Sequence, residues 1–493
     1  MVGAGWMIAF RVFTRVAGLG STLVLARLLM PADFGLLAMA TTFAAAIEGL
    51  SALGIQDALV RDPEKNRDLY DTAFTIQAGR AVLTGGIVAL GTPWAARWFA
   101  EPRLVPVLLV LAGLSALSGF ENIGIIEFRR DLHFGMQVRL LVLPRLLQIG
   151  ATILAAWTLH SYWALLIGTA AGRLSQLAMT YVVHPYRPSL AIGRWRDLVG
   201  FTFWTWATAI VGLAWNRADP FILGPMVGPM ALGMYLQAGA LAMLPLTEFL
   251  VPATEALFPG FAAAQVQGTD PMQMAPKIAV ALVMVLAPVA IVLSAAAGDV
   301  VMVLLGGQWA AATVPMAIFA ATAIFAPIGF VCNTALVARG RVRANFIPIA
   351  VMMLPKVIVI WLAARTGSLA IVAAANVALL AIETSLFVII LHQQGVRLAE
   401  AAKGMLRGIV AIVATMGLLY ETGLGWQLGT RPVLAAFLHG LGIGVLVCAI
   451  YGALLMLLWL VSGRPAGPEA FGIGLLRQVI GARKKPALHS PGT

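Results

Sequence analysis

Long apolar stretches, separated by short polar or Pro/Gly-rich links, run along almost the whole chain. Each stretch is about as long as the roughly 20 apolar residues that a helix needs to cross a bilayer. The stretches do not alternate between apolar and polar positions as the strands of a membrane barrel do, so the pattern favours helices. Splitting the chain at the links predicts fourteen segments, at 6–29, 32–59, 71–98, 104–128, 136–159, 162–183, 197–219, 230–262, 277–305, 310–337, 344–364, 367–392, 405–425 and 431–462.

The predicted fold class is an all-α, polytopic membrane helical bundle, because a chain inside lipid must satisfy its backbone hydrogen bonds internally. Of the 493 residues, 60% are hydrophobic and only 11% are charged. Soluble chains carry about a quarter charged residues, so a water-soluble protein is excluded. Cys332 and Cys448 both lie in apolar segments, which predicts neither a disulfide framework nor a metal site. Arg11 and Arg15 interrupt the first apolar segment, so no signal peptide is expected.

The positive charge of the chain is read first as a topology signal. The formal net charge is +12, from 33 Lys and Arg against 21 Asp and Glu. If the first segment starts in the cytoplasm, the cytoplasmic links and the tail hold twenty-one Lys and Arg, and the opposite links hold six. This bias predicts that both termini are cytoplasmic. Orientation and attraction to anionic lipid account for the excess, and nucleic acid is not an expected partner.

An internal repeat divides the predicted bundle into two lobes. The segment Leu25–Gly35 matches Leu223–Gly233, with Leu, Pro and Gly in register. Gly119-Phe120 likewise matches Gly329-Phe330 at a slightly larger offset. Because the offset spans six predicted helices, the halves are expected to be parallel repeats about an axis along the membrane normal. The predicted domains are two pseudo-symmetric six-helix lobes, two appended helices and a basic cytoplasmic tail, at 1–185, 186–396, 397–463 and 464–493.

Several short motifs occur in an order that resembles one transporter family. They are Leu25–Leu36, Ala58–Arg61, Tyr162–Leu165, Asn216–Asp219, Gly228-Pro229, Leu232–Tyr235 and Gly307–Trp309. In this respect residues 10–395 resemble the Wzx-type polysaccharide flippases, on the exopolysaccharide branch of the multidrug/oligosaccharidyl-lipid/polysaccharide exporter superfamily. Pro220 departs from the pattern, since relatives often carry another basic residue there. The start of the chain is also short by a few residues against that pattern.

The resemblance implies a function and a location. Such proteins move undecaprenyl-diphosphate-linked oligosaccharide across the bacterial inner membrane, for exopolysaccharide or lipopolysaccharide biosynthesis. Transport is expected to proceed by alternating access between the two lobes, without enzymatic chemistry and without a cofactor. The expected partners are this lipid-linked oligosaccharide, membrane lipid, a polysaccharide polymerase and a chain-length regulator.

Ionisable residues inside the predicted spans are the candidates for function, since burying a charge in lipid is costly. Arginine offers planar, bidentate donors that stay charged, which suits a diphosphate. The candidate substrate-binding residues are Arg11, Arg15, Arg80, Arg145, Arg173 and Arg217. The candidate ion-coupling residues, whose charge a proton could switch, are Glu48, Glu121, Glu248 and Glu383. Simple alternatives stay open: Arg11 and Arg15 snorkel to the interface, and Arg145 pairs with Glu121.

Other functions are less compatible with the sequence. A drug or metabolite antiporter of the same superfamily would have a mainly apolar cavity with acidic residues, and the arginine-rich first lobe argues against it. A lipid II flippase stays an alternative. A polysaccharide polymerase or ligase would need a long outer loop, whereas every predicted outer link is short. The six histidines form no recognisable catalytic or metal-binding spacing.

Overall fold

A computed structural model shows the protein as a set of helices. It describes residues 2–51, 59, 66–131, 134–193, 202–266, 268, 270–427 and 431–465. Within those ranges all regular secondary structure is helical, which confirms the all-α class. The basic tail beyond residue 465 lies outside the described residues.

Eight helices and one 3-10 turn make up the first half of the chain. Pro31 occupies the first turn of its helix, where its missing N–H costs nothing. Asn66 caps the next one, and its Oδ1 accepts a hydrogen bond from Asp68 N at 2.9 Å. In chain order the elements are α1 Val2–Leu28, α2 Pro31–Leu50, α3 Arg67–Trp98, α4 Leu104–Ser118, the turn Ile123–Ile125, α5 Ile126–Arg130, α6 Phe134–Leu159, α7 Trp163–Val183 and α8 Thr202–Ala242.

The second half begins with a π-helical turn at Leu246–Leu250. The prediction of one unbroken segment over 230–262 misses this turn. The helices that follow are α9 Val251–Val266, α10 Pro271–Ala295, α11 Ala297–Leu304, a 3-10 turn Gly307–Ala312, α12 Thr313–Phe319, α13 Thr322–Ala338, α14 Val342–Ala364, α15 Leu369–Gln393, α16 Ala399–Glu421 and α17 Val433–Val461.

Among the described residues, nine helices are long and apolar enough to cross a membrane. The stretch predicted as one span over 310–337 is instead a pair of helical pieces, Gly307–Phe319 and Thr322–Ala338, bent by 49°. Counted as one span, this pair raises the number to ten. The chain is therefore a multi-pass membrane protein, and the count of fourteen spans stays a prediction.

The chain forms two compact units. The first unit comprises residues 1–236 with 360–367, and the second comprises 237–359 with 368–493. In the first unit, one apolar cluster packs around Tyr70 and Phe74, and another around Leu29 and Leu165. In the second unit, clusters form around Phe387 and around Ile291. The division into the four predicted domains stays a prediction.

Inside the first unit, the two turns that the sequence repeat relates lie against each other. Gly228 has a φ of 76°, so α8 is two helices that meet at this residue, just before Pro229. A Cβ atom added to Gly35 would lie 1.7 Å from the Pro229 carbonyl oxygen. A Cβ atom added to Gly233 would lie 2.0 Å from the Pro31 carbonyl oxygen. We call this reciprocal contact of Pro31, Gly35, Pro229 and Gly233 the glycine crossing. The contact is reciprocal, and the predicted repeat of six helices stays a prediction.

Candidate functional site

A recess in the first unit brings two of the predicted arginines together. Arg145 and Gln148 come from α6, and Thr169, Arg173 and Gln176 come from α7. Leu141, Pro144 and Gly172 complete the wall around a volume of about 220 Å³. We call this cavity the polar recess. Neither Arg80 nor Arg217 is among its lining residues.

Two glycines on α7 allow α6 and α7 to approach closely enough to form the polar recess. Gly168 and Gly172 are four residues apart, the spacing of the small-residue motif that joins membrane helices. A Cβ atom on Gly168 would lie 1.7 Å from Thr152 Oγ1 of α6. A Cβ atom on Gly172 would lie 3.0 Å from the Cβ atom of Gln148. The side chains that flank this contact therefore face one another across a short gap.

Each of the two helices contributes the same pair of residues at the same spacing. Arg145 and Gln148 are three apart on α6, and Arg173 and Gln176 are three apart on α7, so each pair shares a helical face. Arg145 Nη1 donates a hydrogen bond to Gln148 Oε1 at 3.0 Å. Gln148 and Gln176 are not among the residues predicted from the sequence. The repeated Arg-Leu-X-Gln pattern is the signal that could have revealed them.

The polar recess lies deep along its helices. At 1.5 Å per residue, Arg145 and Arg173 are each roughly 15–20 Å from the ends of α6 and α7. This depth is near the middle of a hydrocarbon core about 30 Å thick. Both arginine side chains are exposed at the protein surface or in its cavities. Two guanidinium groups beside two amides at this depth form a site suited to an anion.

One carboxylate lies near the polar recess. Glu121, half-buried after the end of α4, interacts electrostatically with Arg173. The alternative drawn from the sequence paired Glu121 with Arg145. In the structure, the hydrogen-bond partner described for Arg145 is Gln148.

The first helix borders the same site. A Cβ atom on Gly18 of α1 would lie 3.5 Å from Arg145 Nη2. Positions 11, 15 and 18 follow the spacing of one helical face. The side chains of Arg11 and Arg15 themselves lie outside the described residues.

Arg80 lies in a separate polar network between α2, α3 and α4. Its Nη1 donates to the carbonyl oxygen of Ser51 at 3.4 Å and to Ser51 Oγ at 3.3 Å. The Thr84 and Ser51 hydroxyl oxygens are 2.9 Å apart. Glu48 accepts a hydrogen bond from the Ser115 hydroxyl and interacts electrostatically with Arg80. Arg80 and Glu48, predicted for different roles, therefore belong to one network.

The remaining predicted residues are dispersed. Arg217 is half-buried on α8 in the first unit. Glu248 is exposed on the π-helical turn of the second unit. Glu383 on α15 interacts electrostatically with Lys356, a buried residue of α14 in the same unit.

The second unit contains an apolar groove that the sequence does not reveal. Three adjoining cavities of about 610, 570 and 220 Å³ compose it. The first two share Phe325 and Ala381, and the last two share Val388 and Met405. Along α15 the lining runs from Ala374 to Leu391, or about 25 Å at 1.5 Å per residue. A groove of this length and composition suits a hydrocarbon chain.

Comparisons with known proteins place the chain in a family. A profile described as polysaccharide biosynthesis protein matches residues 24–314, more than half of the chain. The chain is 23% identical over 312 residues to the succinoglycan biosynthesis transport protein ExoT of Rhizobium meliloti (strain 1021), which is 62% of each chain. It is 20% identical over 325 residues to the teichuronic acid biosynthesis protein TuaB of Bacillus subtilis (strain 168), covering 65% of this chain and 67% of TuaB. The chain thus spans less than two thirds of ExoT.

Among solved structures, the lipid II flippase MurJ in an inward closed conformation is similar to this chain. The TM-score is 0.71 at 12% identity, and the match covers 90% of this chain and 98% of MurJ. At this identity the likeness concerns the fold alone.

Proposed function

The chain belongs to the polysaccharide biosynthesis protein family, and from that premise we propose that it translocates undecaprenyl-diphosphate-linked oligosaccharide across the bacterial inner membrane. It moves the repeat unit from the inner to the outer leaflet, for exopolysaccharide or lipopolysaccharide biosynthesis, by alternating access and without converting it chemically. Both termini are cytoplasmic in this proposal, as the charge bias of the links favours. A polymerase and a chain-length regulator then take over the exported units.

The observation that carries the proposal is the polar recess halfway along α6 and α7. A diphosphate crossing the membrane loses its hydration, so it needs fixed donors near the middle of the bilayer. Arg145 and Arg173 supply such donors in planar, bidentate form. We assign Arg11 and Arg15 to the same site, because their positions share the face of α1 on which Gly18 approaches Arg145.

The partner of Arg145 supports an anionic ligand. Gln148 holds the guanidinium through a neutral amide, so the hydrogen bond fixes the group without cancelling its charge. Arg80 differs, because Glu48 lies in its network and offsets its charge. In the proposed mechanism Arg80 acts mainly by holding α2 against α3. Arg217 contributes at another point of the path.

The apolar groove of the second unit supports a lipid as the substrate. Its lining is almost entirely aliphatic and aromatic, and its length approaches the thickness of the hydrocarbon core. A polyprenyl chain can lie in this groove in contact with apolar side chains.

For ion coupling, the carboxylate with the best placement is Glu121. It interacts with Arg173 at the margin of the polar recess, so protonation of Glu121 would change the net charge that the substrate meets. Glu48, Glu248 and Glu383 are weaker candidates. Glu48 and Glu383 each interact with a cation that does not line the polar recess, and Glu248 lies in the second unit.

Removing the arginines of the polar recess tests the proposal. Arg145→Ala and Arg173→Ala should each reduce polysaccharide export in a complemented strain, and the double variant should abolish it. A hydrogen bond to a charged group contributes about 1.5–3 kcal/mol, which corresponds to roughly tenfold to 150-fold in affinity. Arg→Lys variants should retain part of the export, since the charge survives and the bidentate geometry does not.

Arg365→Ala is the matched control, because this exposed arginine stacks on the Trp361 ring, 4.8 Å from its centroid, and lies outside the polar recess. It should leave export unchanged. Membrane abundance is measured for every variant. Normal export by an abundant double variant would overturn the assignment of Arg145 and Arg173.

An isosteric change separates charge from shape at the same site. Gln148→Glu keeps the side-chain size and places a carboxylate 3 Å from the Arg145 guanidinium, where the amide oxygen now lies. We expect at least a tenfold loss of binding to undecaprenyl diphosphate in detergent, because the new pair cancels the charge that attracts the ligand. Gln148→Met, which removes the hydrogen bond and adds no charge, should lose less. Equal losses in the two variants would contradict a role for the net charge.

A further inference from the structure

The segment that follows α7 is fixed to the first unit although it is neither helix nor strand. It comprises residues 184–192, which we call the strap. Asp71, on the second turn of α3, is buried and anchors the strap. Its carboxylate accepts hydrogen bonds from Ser189 N at 2.8 Å, from Ser189 Oγ at 2.6 Å and from the Tyr186 hydroxyl.

Two further contacts hold the strap along its length. Ala191 N donates to Thr75 Oγ1, one helical turn beyond Asp71, at 2.9 Å. Asn122, which is fully buried, donates from Nδ2 to the Tyr186 carbonyl oxygen at 2.7 Å. Polar groups of the strap therefore form hydrogen bonds with polar groups of the unit at three separate places, and two of these, Asp71 and Asn122, are buried. This pattern indicates that specific hydrogen bonds fix the strap to the first unit.

The opposite side of the strap is apolar. Ser189 and Ala191 donate to α3, and the residues that alternate with them, Leu190 and Ile192, are 78% and 67% exposed. Val182, in the last turn of α7, is 79% exposed and extends this apolar surface onto the helix. Leaving a Leu or Ile side chain in water forgoes roughly 1.5–3 kcal/mol that its burial would provide. We therefore expect the side chains of Leu190 and Ile192 to lie in an apolar environment.

Charge and position identify that environment. The strap begins where α7 ends, and a helix of 21 residues is long enough to cross the hydrocarbon core, so the strap would lie at the level of the membrane surface if α7 spans the bilayer. Residues 184–196 of the sequence include Arg187, Arg194 and Arg196 and no acidic residue. Basic side chains beside apolar ones are the composition of segments that lie on anionic lipid.

We propose that the strap is a membrane-surface anchor. Asp71 and Thr75 hold its polar edge to the first unit, while Leu190 and Ile192 insert at the boundary between the headgroups and acyl chains of an anionic leaflet. The anchor sets the depth at which the end of α7 lies in the bilayer. This role does not depend on which substrate the protein carries.

Site-directed spin labelling of the full chain tests the anchor. In a Cys332→Ala, Cys448→Ala background, nitroxides are attached at Leu190→Cys or Ile192→Cys. The protein is placed in phosphatidylcholine nanodiscs, with and without an equal share of phosphatidylglycerol. Val445→Cys, an exposed site in the middle of the apolar α17, is the lipid reference. Glu421→Cys, at the end of α16, is the aqueous reference.

At both strap sites we expect collisions with oxygen to exceed those with a water-soluble nickel chelate, as at the lipid reference. The excess should grow when phosphatidylglycerol is present. Collision rates like those of the aqueous reference would overturn the anchor. Protection from both reagents would overturn it as well, in favour of a covering protein surface or a second copy. An excess that phosphatidylglycerol does not change would overturn the choice of an anionic leaflet.

The attachment to the unit is tested with the same label. Asp71→Asn and Thr75→Val should each increase the mobility of the nitroxide at position 190, because each removes part of the acceptor set. Thr75→Val removes only the bond from Ala191 and keeps the side-chain shape, so it reports on the contact even if Asp71→Asn impairs folding. An unchanged spectrum in Thr75→Val would contradict the attachment.

Discussion

Adding one methyl group at the glycine crossing should cost far more than the same change elsewhere in the helices. In Gly35→Ala the new Cβ atom would lie 1.7 Å from the Pro229 carbonyl oxygen, whereas real Cβ contacts stay above 3.0 Å. The two turns must therefore separate by roughly 1 Å or more in a close-packed interior. The opposing atom belongs to the backbone and cannot rotate away. Overpacking costs typically about 1–3 kcal/mol, and we expect the upper end of this range.

Gly233→Ala should behave in the same way, since its Cβ atom would lie 2.0 Å from the Pro31 carbonyl oxygen. The two changes should not be additive. Once one methyl group has separated the turns, the second meets less resistance, so the double variant should lose less stability than the two single variants together. This coupling tests the reciprocity of the contact.

Gly86→Ala is the matched control, because nothing lies within 4 Å of its added Cβ atom inside α3. There, alanine should stabilise the helix by about 0.5–1 kcal/mol. The assay is unfolding of the purified protein in detergent, followed by tryptophan fluorescence. If Gly35→Ala proved as stable as Gly86→Ala, the close approach at the glycine crossing would be refuted.

Two ion pairs give further predictions. Hydrogen bonds from Arg103 Nε and Nη2, at 2.8 and 2.9 Å, hold the pKa of Glu101 below its usual value. Stability from this pair is therefore present above the unfolded pKa of about 4.3 and is lost as the pH falls through the lower folded pKa. The difference in stability between the wild type and Glu101→Gln should be about 1 kcal/mol or less at pH 7 and should shrink below pH 4. In the second unit, Lys356→Met leaves Glu383 without this cation and should destabilise the fold by up to about 3 kcal/mol. Adding Glu383→Gln should restore part of the loss; no recovery in unfolding assays would argue against the pair.

The spacing of apolar residues was sufficient to predict where most helices begin and end. The predicted end of the first segment at 29 and the start of the second at 32 agree with α1 ending at Leu28 and α2 beginning at Pro31. Proline and glycine mark such turns through their own backbone limits, so one sequence suffices to locate them. The bend between α12 and α13 could not be predicted, because tertiary packing decides it and the residues at the break, Ala320 and Ala321, are neither proline nor glycine. Pro245 directly precedes the π-helical turn before α9 and signals an irregularity there, but a proline by itself does not specify a π-helical turn.

The sequence was sufficient to predict the residue types of the candidate site, but not which residues contact one another there. Six arginines were candidates for substrate binding because they lie in apolar segments. The helical periodicity could not show which of them lie close to a carboxylate. In the structure, Arg80 shares a network with Glu48, while Arg145 shares a hydrogen bond with Gln148. The Arg80–Glu48 interaction links residues on neighbouring helices, whereas the Arg145–Gln148 hydrogen bond links residues three apart on one helix. Only the second kind is visible from sequence spacing, as the Arg-Leu-X-Gln pattern shows.

The identity of the partner decides what a membrane arginine can do. A carboxylate partner cancels the charge locally and lowers the cost of burial, so the pair can stay in place without any ligand. An amide partner orients the guanidinium and leaves its charge to be satisfied by water or by an anion. In the first unit, Arg80 with Glu48 and Arg173 with Glu121 are of the first kind. Arg145 is of the second kind, because it donates to Gln148 in the polar recess, and its charge is left for an anionic ligand.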